Sequence, residues 1–281
     1  MRFGFHLASL PHHDLPRAVG PLAEMGYGDV VARVDAQWLP ESNLAFARID
    51  AWATRCKAVG VRLILDADGL FMTDLWDATA PRLARALEND ARETLLRRCV
   101  DLAAALGSNL VVFSVGDCDA SDDAEISVKR ISLSLDRLMD HARAIGVTLM
   151  IKPVLGSAIE TSTQFMRVLQ WIESKNTASS ILGWSADIGV MARRGEMPIG
   201  DRLSHDHRHL RMVTISDVRM GVAGDQRFGT GDLAIPRIVE SLVAMSFSGP
   251  VILRVEGFGD AGLEVAREAI MIARRGEQSS A

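Results

Sequence analysis

Residues 99–112 read CVDLAAALGSNLVV, and this stretch sets the architecture. Around it, in Arg92–Leu106, the residues Leu95, Cys99, Leu102, Ala103 and Leu106 recur at three- and four-residue steps, which gives a helix one apolar stripe. Gly107 closes that helix, where a left-handed C-terminal residue favours glycine, and the apolar run Leu110–Val115 follows as a strand. The same order of helix, glycine and strand returns at Ala58–Val59–Gly60–Val61 and Ala144–Ile145–Gly146–Val147, and Gly26 ends a further helix. Working outward, strand-length apolar runs lie at Phe3–Ser9, Asp29–Val34, Arg62–Ala67, Leu110–Val115, Thr148–Val154, Leu182–Ile188, Arg211–Ser216 and Val251–Val255. Helical patterns separate them at Leu15–Met25, Ile49–Val59, Arg92–Leu106, Val128–Ile145, Ser162–Ser174 and Ile235–Met245.

Strands spaced by helices pair in parallel through right-handed crossovers. Eight such units in 281 residues fit an α/β fold of one kind, a single (β/α)8 TIM barrel, for which about 250 residues is typical. The rival is an open doubly wound sheet, which predicts a glycine-rich phosphate turn after an early strand. The turn after Phe3–Ser9 is instead Leu10–Pro11–His12–His13, and neither GxGxxG nor Walker A occurs. With no composition break, residues 1–281 read as one domain, and the polar residues 274–281 as a frayed tail.

Composition narrows the function. The net charge is −5, from 31 Lys plus Arg against 36 Asp plus Glu, so no basic surface is offered to nucleic acid or to an anionic membrane. The three cysteines, Cys56, Cys99 and Cys118, lack CxxC spacing and suit a reducing compartment. Pro11, His12, His13 and Asp14 interrupt Met1–Ala18, so no secretory leader is read there, and a cytoplasmic enzyme is expected.

In a (β/α)8 barrel the chemistry sits at the C-terminal strand ends, and side-chain alternation picks the inward residues. That selects Lys152 on the fifth strand, Asp187 on the sixth, Thr214 and Ser216 on the seventh, and Arg254 and Glu256 on the eighth. His6 and Arg33 come from the first and second strands, His12 and His13 from the first loop, and Arg219 from the seventh. His205, His207 and His209 precede the seventh strand, at the opposite end, and read as a solvated linker. Trp38, Phe71, Trp76 and Trp184 are candidates to floor a sugar ring, with core packing the plainer reading for each. Acidic neighbours in Gly116–Asp117–Cys118–Asp119 argue against Cys118 as a nucleophile.

Five segments in this order resemble one superfamily. They are CVDLAAALGSNLVV at 99–112, SADIG at 185–189, TISD at 214–217, FGTGDLAIP at 228–236 and SGPVILRVE at 248–256. Together they look like the xylose-isomerase-like barrels, a group of sugar and sugar-phosphate isomerases and epimerases, and the resemblance spans residues 3–273. It implies a divalent Mn, Mg, Zn or Co ion held by a Glu, an Asp, a His and a Glu on the fifth to eighth strands. Two of these glutamates would shuttle a proton at carbon. This chain departs from that set. Lys152 stands at the fifth-strand Glu, Asp187 keeps the Asp, Thr214 replaces the His with Asp217 retained, and Arg254 stands at the eighth-strand Glu. Val190 replaces a further His three residues after Asp187.

Charged Lys and Arg have no lone pair to give a metal, so no metal cofactor is expected. Lys152 and Arg254 would neutralise Asp187 and Glu256 instead. One reading makes the two cations a clamp for a carboxylate, phosphate or enolate. Another makes them a structural ion pair that plugs a silent site, and a lesser one makes Lys152 a base or Schiff-base amine. Asp187 is either the anchor of Lys152 or an acid/base partner, and Glu256 is the remaining carboxylate for proton transfer. The loop Phe228–Gly231 would cover substrate, and Asp232 is either part of it or a helix N-cap. The expectation is therefore an isomerase- or epimerase-like enzyme, or a lyase or dehydratase, for a small polyhydroxylated or anionic metabolite. The alternatives are a silent barrel that binds an anion or serves in assembly, and a shifted register that restores a metal site. A homodimer is the default assembly.

Overall fold

Why eight short apolar runs become strands follows from their surroundings: a strand covered on both faces needs apolar residues throughout. In the computed structural model, which describes residues 1–35, 43–69, 74, 76–77, 79–175 and 180–278, every predicted run overlaps a strand. They are β1 (Arg2–His6), β2 (Asp29–Arg33), β3 (Arg62–Asp66), β4 (Leu110–Phe113), β5 (Thr148–Ile151), β6 (Leu182–Asp187), β7 (Leu210–Ile215) and β8 (Pro250–Leu253). They follow one another in a closed barrel in chain order. The helices are α1 (Leu15–Glu24), α2 (Asn43–Ala58), α3 (Asn89–Ala105), α4 (Ala124–Ile145), α5 (Ser162–Glu173), α6 (Ile188–Arg193), α7 (Ile199–His205), α8 (Ile235–Ala244) and α9 (Leu263–Gln278).

The chain divides into two compact units. The first comprises Met1–Ala32, Trp52–Leu63 and the chain from Ala186 onward. In it β1 pairs with β8, setting Phe3 beside Val251 and Phe5 beside Leu253, and β7 pairs with β8 through Val213 and Val251. The second comprises Arg33–Ala51 and Ile64–Ser185, where β4 pairs with β5 and Val111 lies beside Leu149. All these residues are buried, so each unit carries an apolar interior.

Local signals fix the helix ends. Asp123 caps α4 by accepting from the Ile126 N–H, and Gly146 ends it at φ 75°, a conformation that costs other residues strain. Thr161 and Gln164 form a reciprocal capping box at the start of α5. Two expectations change. The crossover from β6 to β7 holds two helices, α6 and α7, that apolar spacing did not announce because each is under two full turns. The tail is docked rather than frayed from residue 274, because α9 continues to Gln278. Gly276 lets that last turn approach α8 so closely that a Cβ would lie 2.1 Å from the Pro236 carbonyl oxygen. Glu277 Oε1 accepts from the Met1 amino group at 2.8 Å.

Candidate functional site

β5 ends at Ile151, and the Lys152 N–H donates to the Phe113 carbonyl at 2.8 Å, which seats Lys152 at the C-terminal edge of the strand. Its Nζ donates to Asp66 Oδ1 and Oδ2 at 3.2 and 3.1 Å and lies 3.1 Å from Asp68 Oδ2. Asp68 also accepts from Arg92 Nη2 at 3.0 Å and from the Ser114 N–H at 2.9 Å. Arg33 Nε stands 3.9 Å from Asp66. Burial alone would lower the Lys152 pKa, but Asp66 and Asp68 outweigh it and hold the amine above its ordinary value. Lys152 is therefore held in its ammonium form at neutral pH. Above it opens a cleft of about 640 Å³, within the usual size of a small-molecule site, lined by Arg33, Asp68, Arg82, Arg92, Asp117 and Lys152 among others.

The first unit holds a second cluster. Arg254 follows β8, and its guanidinium donates from Nη1 to Asp187 Oδ2 at 2.6 Å, from Nη2 to Ser216 Oγ at 3.2 Å and from Nε to Asp225 Oδ2 at 3.2 Å. The Asp187 and Asp225 side chains are 4% and 5% exposed, whereas Glu256, 3.8 Å from Arg254, is 40% exposed. Burial would lower the Arg254 pKa, yet the surrounding carboxylates raise it well above the guanidinium norm. Asp187 has a second task as N-cap of α6, accepting from the Val190 N–H at 3.1 Å.

The expectation that Asp187 anchors Lys152 is corrected. Asp187 takes Arg254, and Lys152 takes Asp66 and Asp68, because those two carboxylates flank it where β3 ends. Asp66, Asp68, Arg92 and Asp225 were not singled out in the sequence. The first two carry a legible signal: the alternation that selects Lys152, applied to Leu65–Asp66–Ala67–Asp68 at the end of β3, selects both.

The remaining candidates occupy varied settings. Thr214 is buried on β7, and Ser216 is buried against Arg254. His6 is buried with Nδ1 accepting from the Ala8 N–H at 3.1 Å, the core-histidine arrangement. His12 is exposed 3.8 Å from Asp260, and the buried Nδ1 of His13 has no hydrogen-bond partner. Arg219 is exposed and donates to the Thr230 carbonyl. Asp217 is buried and holds the loop 228–233, accepting from the Gly229 and Gly231 N–H groups at 2.8 and 3.0 Å. Asp232 is tied into the same loop, accepting from the Met220 N–H at 2.7 Å. His205 ends α7, and His207 and His209 form a short helical turn before β7 rather than an irregular linker. Trp184 is core, Trp76 is exposed, and Trp38 and Phe71 lie outside the described residues.

A family model described as the xylose isomerase-like TIM barrel matches residues 21–275. The chain belongs to that family. Among solved structures, this xylose isomerase-like barrel is similar to a 3-keto-D-glucoside 4-epimerase from E. coli, with TM-score 0.76, 16% identity, and 98% and 99% of the two chains covered. A D-tagatose 3-epimerase-like protein gives TM-score 0.75 at 15% identity over 100% of both chains. An L-ribulose 3-epimerase gives 0.74 at 16% identity over 99% and 96%. Identities this low establish a common fold. No curated protein matches the chain. Among the described residues, no helix is long and apolar enough to cross a membrane.

The residues at the four family ligand positions do not fit a divalent ion. Lys152 and Arg254 bring positive charge where anionic donors are needed, Thr214 offers only a hydroxyl, and the one retained acid, Asp187, is bound to Arg254.

Proposed function

We propose that this barrel is an isomerase- or epimerase-like enzyme for a small polyhydroxylated anion such as a sugar acid, and that it moves a proton at carbon without a divalent metal. The observation that carries the reading is Lys152, held as an ammonium by Asp66 and Asp68 and lining a cleft together with Arg33, Arg82 and Arg92. When a proton leaves the carbon beside a carbonyl, the electron pair moves onto the carbonyl oxygen. A fixed ammonium next to that oxygen stabilises the developing charge. In the first unit Glu256 is the candidate carboxylate for proton transfer, since it is the more exposed one and Asp187 and Asp225 are nearly buried and engaged by Arg254. The sugar epimerases sharing the fold support the reaction class.

A second reading, a barrel that binds its anion without turnover, is favoured by the engagement of Asp68 with three donors, which ties that carboxylate into the wall of the cleft. Deuterium incorporation separates the two. Sugar acids and the matching ketoses incubated in D2O should exchange a carbon-bound proton, and Lys152→Ala and Glu256→Gln should abolish the exchange. Saturable binding with no exchange for any compound would leave the second reading. A stoichiometric Mn, Mg, Zn or Co ion in the purified protein, removed by chelator together with activity, would overturn the metal-free mechanism. With Cys56 and Cys99 buried as free thiols, a reducing cytoplasm is the proposed location.

A further inference from the structure

In the first unit three oxygens from three segments converge on one positively charged point. Asp187 Oδ2 from the end of β6, Ser216 Oγ after β7 and Asp225 Oδ2 from the following loop all accept from the Arg254 guanidinium, at 2.6, 3.2 and 3.2 Å. Among the described residues, Arg254 is the cation that the Asp187 and Asp225 side chains share. Two nearly buried carboxylates therefore depend on a single positive charge, and Glu256 adds a third carboxylate 3.8 Å away. Charges removed from water must be matched, or they force protonation or loosening of the fold. We infer that the Arg254 side chain is a built-in replacement for a metal ion, and that removing it leaves a hard-cation site of Asp187, Asp225, Ser216 and Glu256.

The donor set is oxygen only, which suits Mg²⁺, Mn²⁺ or Ca²⁺ over thiophilic metals. The scaffold that holds these oxygens is independent of the guanidinium. Asp187 is fixed by capping α6, and Asp225 is fixed by accepting from the Glu256 N–H at 3.1 Å. Both carboxylates thus stay in place when the arginine is shortened.

The inference deepens the metal-free reading and rests on it, and its test uses metal uptake and thermal melting rather than turnover. Wild-type protein dialysed against MnCl2 should retain no stoichiometric Mn²⁺ and melt at an unchanged temperature. Arg254→Met should melt roughly 10 °C lower in the absence of metal, as expected for a broken buried pair. It should then bind one Mn²⁺ and recover much of the loss, and adding Asp187→Asn should remove that uptake. Arg254→Lys, which keeps a cation, should fold and bind no Mn²⁺. Mn²⁺ bound by wild type at this site would overturn both the inference and the metal-free reading. A folded Arg254→Met without Mn²⁺ uptake would overturn the inference alone. So would an Arg254→Met that fails to fold with or without Mn²⁺ while Arg254→Lys fails equally, since the requirement would then be shape and not charge.

Discussion

Lys152 sits among three carboxylate oxygens at 3.1 to 3.2 Å, and its protonation and the integrity of the cleft are one equilibrium. Its pKa is raised in the folded state, so its stabilising effect is complete below the ordinary lysine value and is lost as pH rises through the folded value. Melting temperature should therefore not respond to Lys152 between pH 6 and 9, and should fall in strongly alkaline solution. Lys152→Met should erase that alkaline component and cost about 3–5 kcal/mol at neutral pH by leaving Asp66 and Asp68 without their cation. Equal alkaline melting of the variant and the wild type would contradict the coupling. The position of Lys152 was legible, because alternation along a strand assigns its side. Its pairing with Asp66 and Asp68 was not, since Asp66 lies 86 residues away and no local pattern joins β5 to the end of β3.

At the scale of elements, α3 and α4 are joined by Glu93, a buried acid on the face of α3 that also buries Leu96, Cys99 and Val100. Arg137 Nε from α4 donates to its Oε2 at 2.9 Å, and Arg97 Nη2, one turn on, donates to its Oε1 at 3.0 Å. Burial alone would raise the Glu93 pKa, and the two arginines outweigh it and hold the carboxyl below the usual range. This pair of contacts stabilises the fold above the ordinary glutamate pKa, and the contribution is lost as pH falls through the lower folded value. Glu93→Gln should flatten the acid limb of a melting-temperature profile and lower stability at pH 7 by about 1–3 kcal/mol. An unchanged acid limb would show that the contact is silent. Strands and most helices were readable from Leu110–Phe113 or Thr148–Ile151 because burial on both faces demands an unbroken apolar run. Helix α6 was not, since Asp187 serves at once as the last strand residue and the N-cap.

For the molecule as a whole, a net charge of −5 and a cleft lined by Arg33, Arg82, Arg92 and Lys152 act on different ranges. The first is spread over the surface and screened within about 10 Å at 0.1 M salt, whereas partly buried charges are screened far less. Binding of a sugar acid, followed by calorimetry, should hence change less than about threefold between 0.05 and 0.5 M NaCl. Double-stranded DNA should stay unbound even at the lower salt, as a gel-shift assay would read. A steep salt slope for the sugar acid would mean that the anion meets the surface and not the cleft.

Only four of the 31 basic residues are lysines, and three of them, Lys57, Lys129 and Lys175, are exposed. An amine-reactive reagent acts on the neutral form, so near pH 8 it should mark these three and spare Lys152. Acylation of this fourth amine, followed by mass spectrometry of a single peptide, becomes a reporter that lights only when Asp66 and Asp68 let go. The protein thus carries its own footprinting probe at the floor of the cleft, readable in crude extract without a label or a known ligand.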